Sequence, residues 1–473
     1  MGAAREQFGS RLGFVLAAAG SAVGIGNLVG FPVGAAKNGG GAFLFMYAIF
    51  VFFICLPVMI AEMSVGRNTL KDPLGAYTKL SNNNRGWNIA GWLSIITPFM
   101  ITVFYLVITV WIFGYLIGAA TGNLDVLADP AHFGSFINSF DIFIYMSLVL
   151  GFVYFILQGG VKQGIEKAAK TLMPALFVML IGMVIFVLMQ DNAMAGVKYY
   201  LIPDFSKIDS GVVNGALSQA FFSLSLGMGI MITYGSYIDK RADIPGSAKL
   251  VALTDTAVAF IAGLMILPAI FSFNPDIKPE ELSESSVGLI FTFLPNIFLA
   301  LQTSIGYIGA SAVASVFFLL VFFAAITSLV SIFEVPVASL MSTKNISRKK
   351  ALLVCGLLLI VLSLMCAVSF GMVSFFTEFV NYAGVNKSFF DVVIDVFYDT
   401  ILPLNGLLIC LFVSYRWKKH NLNKELENGS VGYKSSLFEK YVDISIGTFI
   451  PVILFMILIN TIASKYFGVI LIG

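Results

Sequence analysis

The sequence predicts an all-α polytopic membrane protein of eleven transmembrane helices. The helices form two inverted five-helix repeats with unwound first and sixth members, plus one extra C-terminal helix. Three observations carry this. Hydrophobic residues fill 58% of the 473 positions and charged residues only 11%, whereas soluble domains are about a quarter charged. The apolar residues fall in blocks of about 20, the length of helix that crosses a hydrocarbon core, rather than in the ten-residue alternations of a β-barrel. The basic residues, finally, gather in alternate loops.

In chain order the apolar blocks lie near 12–36, 41–64, 89–118, 141–158, 170–190, 213–237, 250–272, 308–340, 350–371, 389–415 and 442–465. Arg5 and Arg11 precede the first. Arg67, Lys71, Lys79 and Arg85 follow the second; Lys162, Lys167 and Lys170 follow the fourth; Lys240, Arg241 and Lys249 follow the sixth. Lys344, Arg348, Lys349 and Lys350 follow the eighth, and Arg416, Lys418, Lys419, Lys424, Lys434 and Lys440 follow the tenth. These alternate loops hold 22 of the 28 basic residues, while the opposite loops carry acids such as Asp125, Asp129, Glu280, Glu281 and Glu284. The positive-inside rule then predicts a cytoplasmic N-terminus and an extracytoplasmic C-terminus. The parts are 1–190 (first repeat), 191–415 (outer loop and second repeat) and 416–473 (cytoplasmic linker and eleventh helix). No cleavable signal peptide and no myristoyl anchor are expected. A net charge of +2 gives no reason to expect a nucleic-acid partner. In the outer loop at 273–307, FTFLPNIFLALQ reads as a short helix serving as a lid or as packing.

The first block, GFVLAAAGSAVGIGNLVGFPVGAAKNGGG, holds glycines at 20, 24, 26 and 30 with Pro32. Small-residue packing between helices explains Gly13 or Gly24 but not Ser21 and Asn27 in the same cluster. A helix unwound near mid-membrane explains both. The sixth block, QAFFSLSLGMGIMITYGSY, repeats the pattern, with Ser223 and Ser225 before Gly227 and Gly229. Interrupted helices at corresponding places of two halves point to an inverted-repeat transporter with its site between the halves. Irregular backbone is tolerated at that depth only where it lines a cavity or is buried in protein.

Polar residues inside the blocks complete the pattern: Glu62, Asp255, Thr327 and Ser328. A carboxylate in an apolar helix costs several kcal/mol unless it is paired or binds a cation, and no basic residue lies deeper in the seventh block to pair with Asp255. Oxygen ligands suit a hard cation, and the want of cysteine or histidine clusters argues against a transition metal. Cys55, Cys355, Cys366 and Cys410 read as buried small hydrophobes without disulfides. His132 and His420 fall outside the blocks.

RLGFVLAAAGSAVGIGNLVGFPVGAAKNGGGAF at 11–43, FFSLSLGMG at 221–229, LTDT at 253–256 and FFAAITSLVSIFE at 322–334 together resemble the bacterial amino-acid branch of the neurotransmitter:sodium symporter family. The resemblance runs almost end to end. Members of that family are themselves the type case of paired interrupted helices, so the two signals are not independent. The resemblance implies sodium-coupled uptake of a neutral, hydrophobic or aromatic L-amino acid by alternating access, and no enzyme activity.

Carried over position by position, it implies two sodium sites. The first uses the Ala22 carbonyl, Asn27, Ser223, Asp255 and the substrate carboxylate. The second uses the carbonyls of Gly20, Val23 and Ala324 with the hydroxyls of Thr327 and Ser328. The substrate pocket draws on Ser21, Ala22, Ile25, Gly26, Ile101, Tyr105, Phe222, Ser223, Ser225, Met228, Ser328 and Ile332. Its apolar walls imply a neutral side chain, and the unbranched Met228 leaves room for a ring. Chloride-dependent relatives use positions matching Tyr47, Gln219 and Ser223, with two more on the seventh block. Here those two are Asp255, already an anion, and Ala259, which has no hydroxyl, so chloride independence is expected.

Departures from the family pattern concern the gates. Gly30 stands where relatives often carry an arginine facing an acid on the tenth span, matched here by Asp395 or, second, Asp391. At the inner side Arg5 matches a gate residue, its usual acidic partner is replaced by Ser342, and Tyr237 is the remaining contact. Gly164 and Pro174 mark an inner stretch of the fifth span expected to unwind and admit water to the second sodium site. The alternatives are a transporter-like amino-acid sensor and a proton-coupled carrier of another solute, such as a nucleobase or a choline-like cation. The oligomeric state is not legible.

Overall fold

The computed structural model describes residues 6–273, 286–469 and 471. Arg5, Glu280, Glu281 and Glu284 lie outside the described residues. The chain folds as α-helix almost throughout. Among the described residues, nine helices are long and apolar enough to cross a bilayer, and a bent pair adds a tenth crossing.

That pair is α1, Arg11–Ala22 (α1a) and Gly26–Lys37 (α1b), bent by 54°. The single helices before the second break are α2 (Gly41–Thr69), α3 (Arg85–Ala120), α4 (Asp141–Gln158) and α5 (Val161–Leu188). The expected block at 213–237 is α6, split into α6a (Ser210–Ser223) and α6b (Ile230–Gly235); neither piece alone is long enough to span. After it come α7 (Ile244–Ser272), α8 (Gln302–Lys344), α9 (Arg348–Phe370), α10 (Phe389–Glu427) and α11 (Leu437–Phe467).

Burial sorts these helices into a core and a rim. The most apolar windows of α3 and α8 are 78% and 83% buried, and the two helices pack along each other. Those of α4, α5, α9 and α11 are 33% to 39% buried and keep an apolar face outward, as lipid-facing helices do because lipid does not penalise exposed leucine. α1a packs against α5, α7 and α8, and α6b against α2, so both interrupted helices lie inside the bundle.

Several boundaries differ from the sequence expectation. α7 starts at Ile244 rather than 250, which sets Asp255 about three turns into the helix. α5 starts at Val161 and runs as a π-helix to Glu166 before Lys167–Leu188 continues as α-helix through Pro174. The expected unwinding between Gly164 and Pro174 is therefore not present in this conformation. Gly164 instead lets α4 and α5 approach closely, since a Cβ there would lie 2.0 Å from the Ile156 carbonyl. α10 stays helical to Glu427 past a break at Lys418, φ 75°, because its tail is anchored. The fully buried Arg67 at the end of α2 pairs with the Glu425 carboxylate at 2.6 Å and donates to the carbonyls of Ala242, Glu425 and Asn428. Between α9 and α10 a hairpin, β1 (Val380–Tyr382) and β2 (Val385–Lys387), turns at Ala383 and Gly384, both at positive φ.

The segment at 291–302 is helical, as Leu289–Phe293 and Leu294–Ala300. Its Phe291 stacks on Phe133 at 4.9 Å and meets Trp111 and Tyr115 edge-on, so it packs on one end of α3. All four cysteines are free and buried.

Candidate functional site

At the break in α1, Val23 leaves helical geometry with ψ 99°, which frees amide groups that must find partners at that depth. Two of them do. Tyr105 Oη on α3 accepts from the Ile25 amide at 3.3 Å, and Asn27 Oδ1 accepts from the Gly24 amide at 3.2 Å. The break needs a glycine at 24, where a Cβ would lie 2.7 Å from Ser328 Oγ and 2.8 Å from Tyr105 Oη.

The break in α6 runs through Ser225, Gly227 and Gly229, at φ +54°, +75° and +65°. Left-handed backbone costs a non-glycine residue free energy, and Ser225 holds it while its hydroxyl donates to the Ser21 carbonyl at 3.0 Å. Gly227 is gripped on both sides. Its amide donates to Glu62 Oε1 at 2.8 Å, and its carbonyl accepts from Asn405 Nδ2 at 2.9 Å.

Beside these breaks lies a carboxylate with no exposed surface. Asp255 accepts from Asn27 Nδ2 at 2.7 Å, from Ser223 Oγ at 2.9 Å and from Tyr47 Oη at 2.9 Å. None of these donors carries charge. A second cluster joins α1 to α8. Ser328 Oγ lies 3.4, 3.1 and 3.3 Å from the carbonyls of Gly20, Ser21 and Val23, and Thr327 Oγ1 lies 3.0 Å from that of Ala324. One hydroxyl hydrogen satisfies one carbonyl, so the others remain as acceptors aimed at a single region. Two oxygen-only nests, one of them anionic, are suited to hard cations rather than to soft transition metals.

Between the nests is a cavity of about 10 Å³, room for one water molecule. Ser21, Ala22, Gly26, Tyr105, Phe222, Ser225, Met228, Ser328 and Ile332 line it, all of them expected from the sequence. Ser21 Oγ is buried without a hydrogen-bond partner, a polar group facing a small space. Three expected residues are elsewhere. Ile101 is wholly buried in α3, Ile25 contributes its amide to Tyr105, and Ser223 turns to Asp255. Gly24, which sequence reasoning assigned to helix packing, lines the cavity.

The cavity is shut on two sides. On one, Phe222 packs edge-to-face on Tyr398 with ring centroids 4.5 Å apart, and Gln219 donates to the Gly26 carbonyl at 2.8 Å. On the other, Phe8 packs on Phe14, Tyr234 and Tyr237. Tyr237 Oη donates to Glu334 at 2.7 Å, and Arg348 bridges Glu334 at 2.7 Å to Glu6 at 3.2 Å. With Arg5 outside the described residues, the cation seen on that side is Arg348. Asp395 pairs with Lys465 of α11 at 2.9 Å and accepts from Tyr382 at 2.7 Å, and among the described residues it has no ion pair with α1. Asp391 caps the start of α10 against Ser388. Tyr47, Glu62, Asn405, Arg348 and Lys465 carry contacts that sequence reasoning did not assign. A charged or amide side chain inside or at the edge of an apolar block was the available signal for all but Tyr47.

Two interrupted helices facing each other over oxygen-lined nests define the class, an inverted-repeat secondary transporter. The model of the Sodium:neurotransmitter symporter family matches residues 5–128 and 134–468, and the chain belongs to that family. It is 34% identical over 438 residues to YhdH, a sodium-dependent transporter of Bacillus subtilis (strain 168), covering 91% of this chain and 92% of that one. It is 33% identical over 363 residues to a sodium-dependent transporter of Haemophilus influenzae, covering 74% and 76%. Among solved structures, MhsT in complex with L-phenylalanine superposes with a TM-score of 0.81 at 36% identity, over 96% of this chain and 99% of that one.

Proposed function

We propose that this chain carries a neutral amino acid with an apolar or aromatic side chain into the cell, driven by two sodium ions, through alternating closure of the Phe222–Tyr398 side and the Tyr237–Glu334 side. The observation that carries the reading is Asp255, fully buried and met, among the described residues, by the uncharged donors Asn27, Ser223 and Tyr47. An ionised carboxylate there needs a counter-charge, and a sodium ion beside Asn27, Ser223 and the Ala22 carbonyl supplies it. The substrate's own carboxylate completes that shell, so ion and solute share ligands and neither binds well alone.

The second ion lies among the carbonyls of Gly20, Val23 and Ala324 and the hydroxyls of Thr327 and Ser328. It ties α1 to α8 and biases the bundle only through its differential affinity for the two states. The neighbour MhsT holds L-phenylalanine, and the cavity here has apolar walls at Phe222, Met228 and Ile332. In this conformation the cavity is small, so the Phe222 side chain moves to admit a ring.

Chloride is not required in this reading. The Tyr47 and Ser223 hydroxyls already donate to Asp255, and Ala259 offers none. A second anion would meet the Asp255 charge with those donors committed. The membrane arrangement follows the basic loops: eleven spans with α11 outside the repeats, the N-terminus cytoplasmic and the C-terminus extracytoplasmic in the plasma membrane. The divisions are 1–190, 191–415 and 416–473, the last beginning within α10. Gly164 and Pro174 remain the stretch of α5 that opens towards the second ion.

The test is equilibrium binding of labelled apolar amino acids to the purified protein, in sodium, in potassium, and in sodium with gluconate replacing chloride. Binding that needs sodium and survives chloride removal supports the reading; binding in potassium alone contradicts it. Asp255→Asn that still binds in sodium with wild-type affinity contradicts the assignment of the ion to Asp255.

A further inference from the structure

The side of the cavity closed by Phe222 and Tyr398 depends on where α10 holds Tyr398. That part of α10 is not ordinary α-helix. Ile394–Ile401 is a π-helix, a rare winding found mostly as single-turn bulges inside α-helices and frequently at functional sites. Asp395 and Asp399 flank Tyr398 in it, two carboxylates close enough to repel each other. Asp395 is 3% exposed, so neither water nor salt screens it well.

The support comes from α11. Lys465 Nζ lies 2.9 Å from Asp395 Oδ1 and 2.7 Å from Asp399 Oδ2, bridging both carboxylates. Tyr466 Oη donates to the Asp395 carbonyl at 3.1 Å and lies 3.1 Å from Thr400 Oγ1. On the opposite side Tyr382 donates to Asp395 Oδ2 at 2.7 Å, with Lys387 at 3.5 Å. Asp395 thus has support from both the hairpin and α11, whereas the cation at Asp399 is Lys465.

Phe104 meets Tyr398 edge-on at 6.0 Å, but the Phe222–Tyr398 pair is not packed on every side. A second cavity of about 80 Å³ lies against its far side, lined by Phe222, Tyr398, Asp399, Leu402, Leu454 and Ile457. Either ring has room to retreat into it, so packing alone does not keep Tyr398 forward. The contacts from α11 to the π-helical stretch are Lys465 on its two carboxylates and Tyr466 on the Asp395 carbonyl.

We propose that Lys465 is a positioning residue of the outer gate. By neutralising Asp395 and Asp399 together it holds the π-helical turn of α10 so that Tyr398 closes on Phe222 over the bound solute. The cation that steadies this gate comes sideways from α11, where Gly30 on α1 offers none. The eleventh helix is then part of the transport cycle although it lies outside the two repeats. The proposal rests on the transport reading above.

The test uses the full chain in proteoliposomes and a panel of labelled apolar amino acids. Wild type, Lys465→Gln, Lys465→Arg and Asp399→Asn are compared for the dissociation rate of preloaded substrate in sodium, for uptake KM and Vmax, and for thermal unfolding. K465Q is expected to release substrate about fivefold faster or more, in the range of ordinary coupling between sites, and to raise KM while Vmax is largely kept. K465R should restore the slow release, because it keeps the charge. D399N, which removes the repulsion and leaves Lys465 on Asp395, should be milder than K465Q, and adding D399N to K465Q should recover part of the slow release. Unchanged release in K465Q overturns the proposal. So does equal damage from K465R and K465Q accompanied by a lowered unfolding temperature, which would make Lys465 a packing residue. A wild-type chain that binds no labelled amino acid in sodium overturns the transport reading, and this proposal with it, before any variant is compared.

Discussion

Asp255, Gly24 and Ser328 each make a separate demand on the site. Asp255→Asn keeps the shape and removes the charge, so sodium binding should weaken by about 3 kcal/mol or more, the scale of breaking a buried ion pair. Sodium titration of substrate binding measures it. Gly24→Ala would bring a Cβ within 2.8 Å of both Ser328 Oγ and Tyr105 Oη. Substrate affinity should fall at least about tenfold while the protein still folds, an overpacking cost of about 1–3 kcal/mol. Thr327→Val with Ser328→Ala removes both hydroxyls of the second nest and should shift half-saturating sodium upwards.

Residues of this kind were unequally legible. Asp255 and Asn27 stand out because polar groups in an apolar helix are expensive wherever they occur. Ser225 and Ser21 stand out beside clustered glycines. Tyr47 is one aromatic among many in its block; only the family resemblance grouped it with Ser223 and Asp255, and the fold then shows its hydroxyl donating to Asp255, 208 positions away. Gly24 looked like helix packing because its need for close approach arises from α3 and α8, not from its neighbours in sequence.

At the scale of elements, the break in α6 rests on side chains from α2 and α10. Glu62→Ala leaves the buried Gly227 amide without its acceptor and should destabilise the protein by about 1–3 kcal/mol, read as a lower unfolding temperature in detergent. Arg348→Ala strips Glu334, which has no exposed surface, of its cation. The cost of a broken buried pair is about 3–5 kcal/mol. That variant should also expose a cysteine engineered at Ser331 to a thiol reagent from the Glu334–Arg348 side more readily than in wild type.

The two broken helices were legible because glycine and serine cluster where an uninterrupted apolar rod would otherwise run. The β1–β2 hairpin was not, since strands of three residues leave no periodicity to read. The helical course of α10 beyond 415 was hidden as well. Its polar tail KHNLNKELE reads as a solvated linker until Arg67 is seen pairing with Glu425. The winding of α5 differs for another reason. Pro174 and Gly164 permit an opening, and permission does not fix which state is populated.

For the whole molecule, both sides of the cavity are closed at once, by an aromatic pair on one side and by an aromatic cluster with an ion-pair chain on the other. Alternating access requires that the two closures open in turn, with sodium and solute stabilising the passage between them. The family and the buried, oxygen-lined nests make sodium the natural driving ion. If Asp255 supplies the negative charge as proposed, replacing external chloride with gluconate should leave transport unchanged.

The measurement that tests this account most directly is uptake of labelled apolar amino acids, with labelled sodium followed in parallel, into proteoliposomes holding an inward sodium gradient. Sodium-coupled symport gives accumulation above equilibrium that collapses when potassium replaces sodium and is abolished in Asp255→Asn. Accumulation driven equally well by a proton gradient without sodium, or binding with no accumulation, would contradict it.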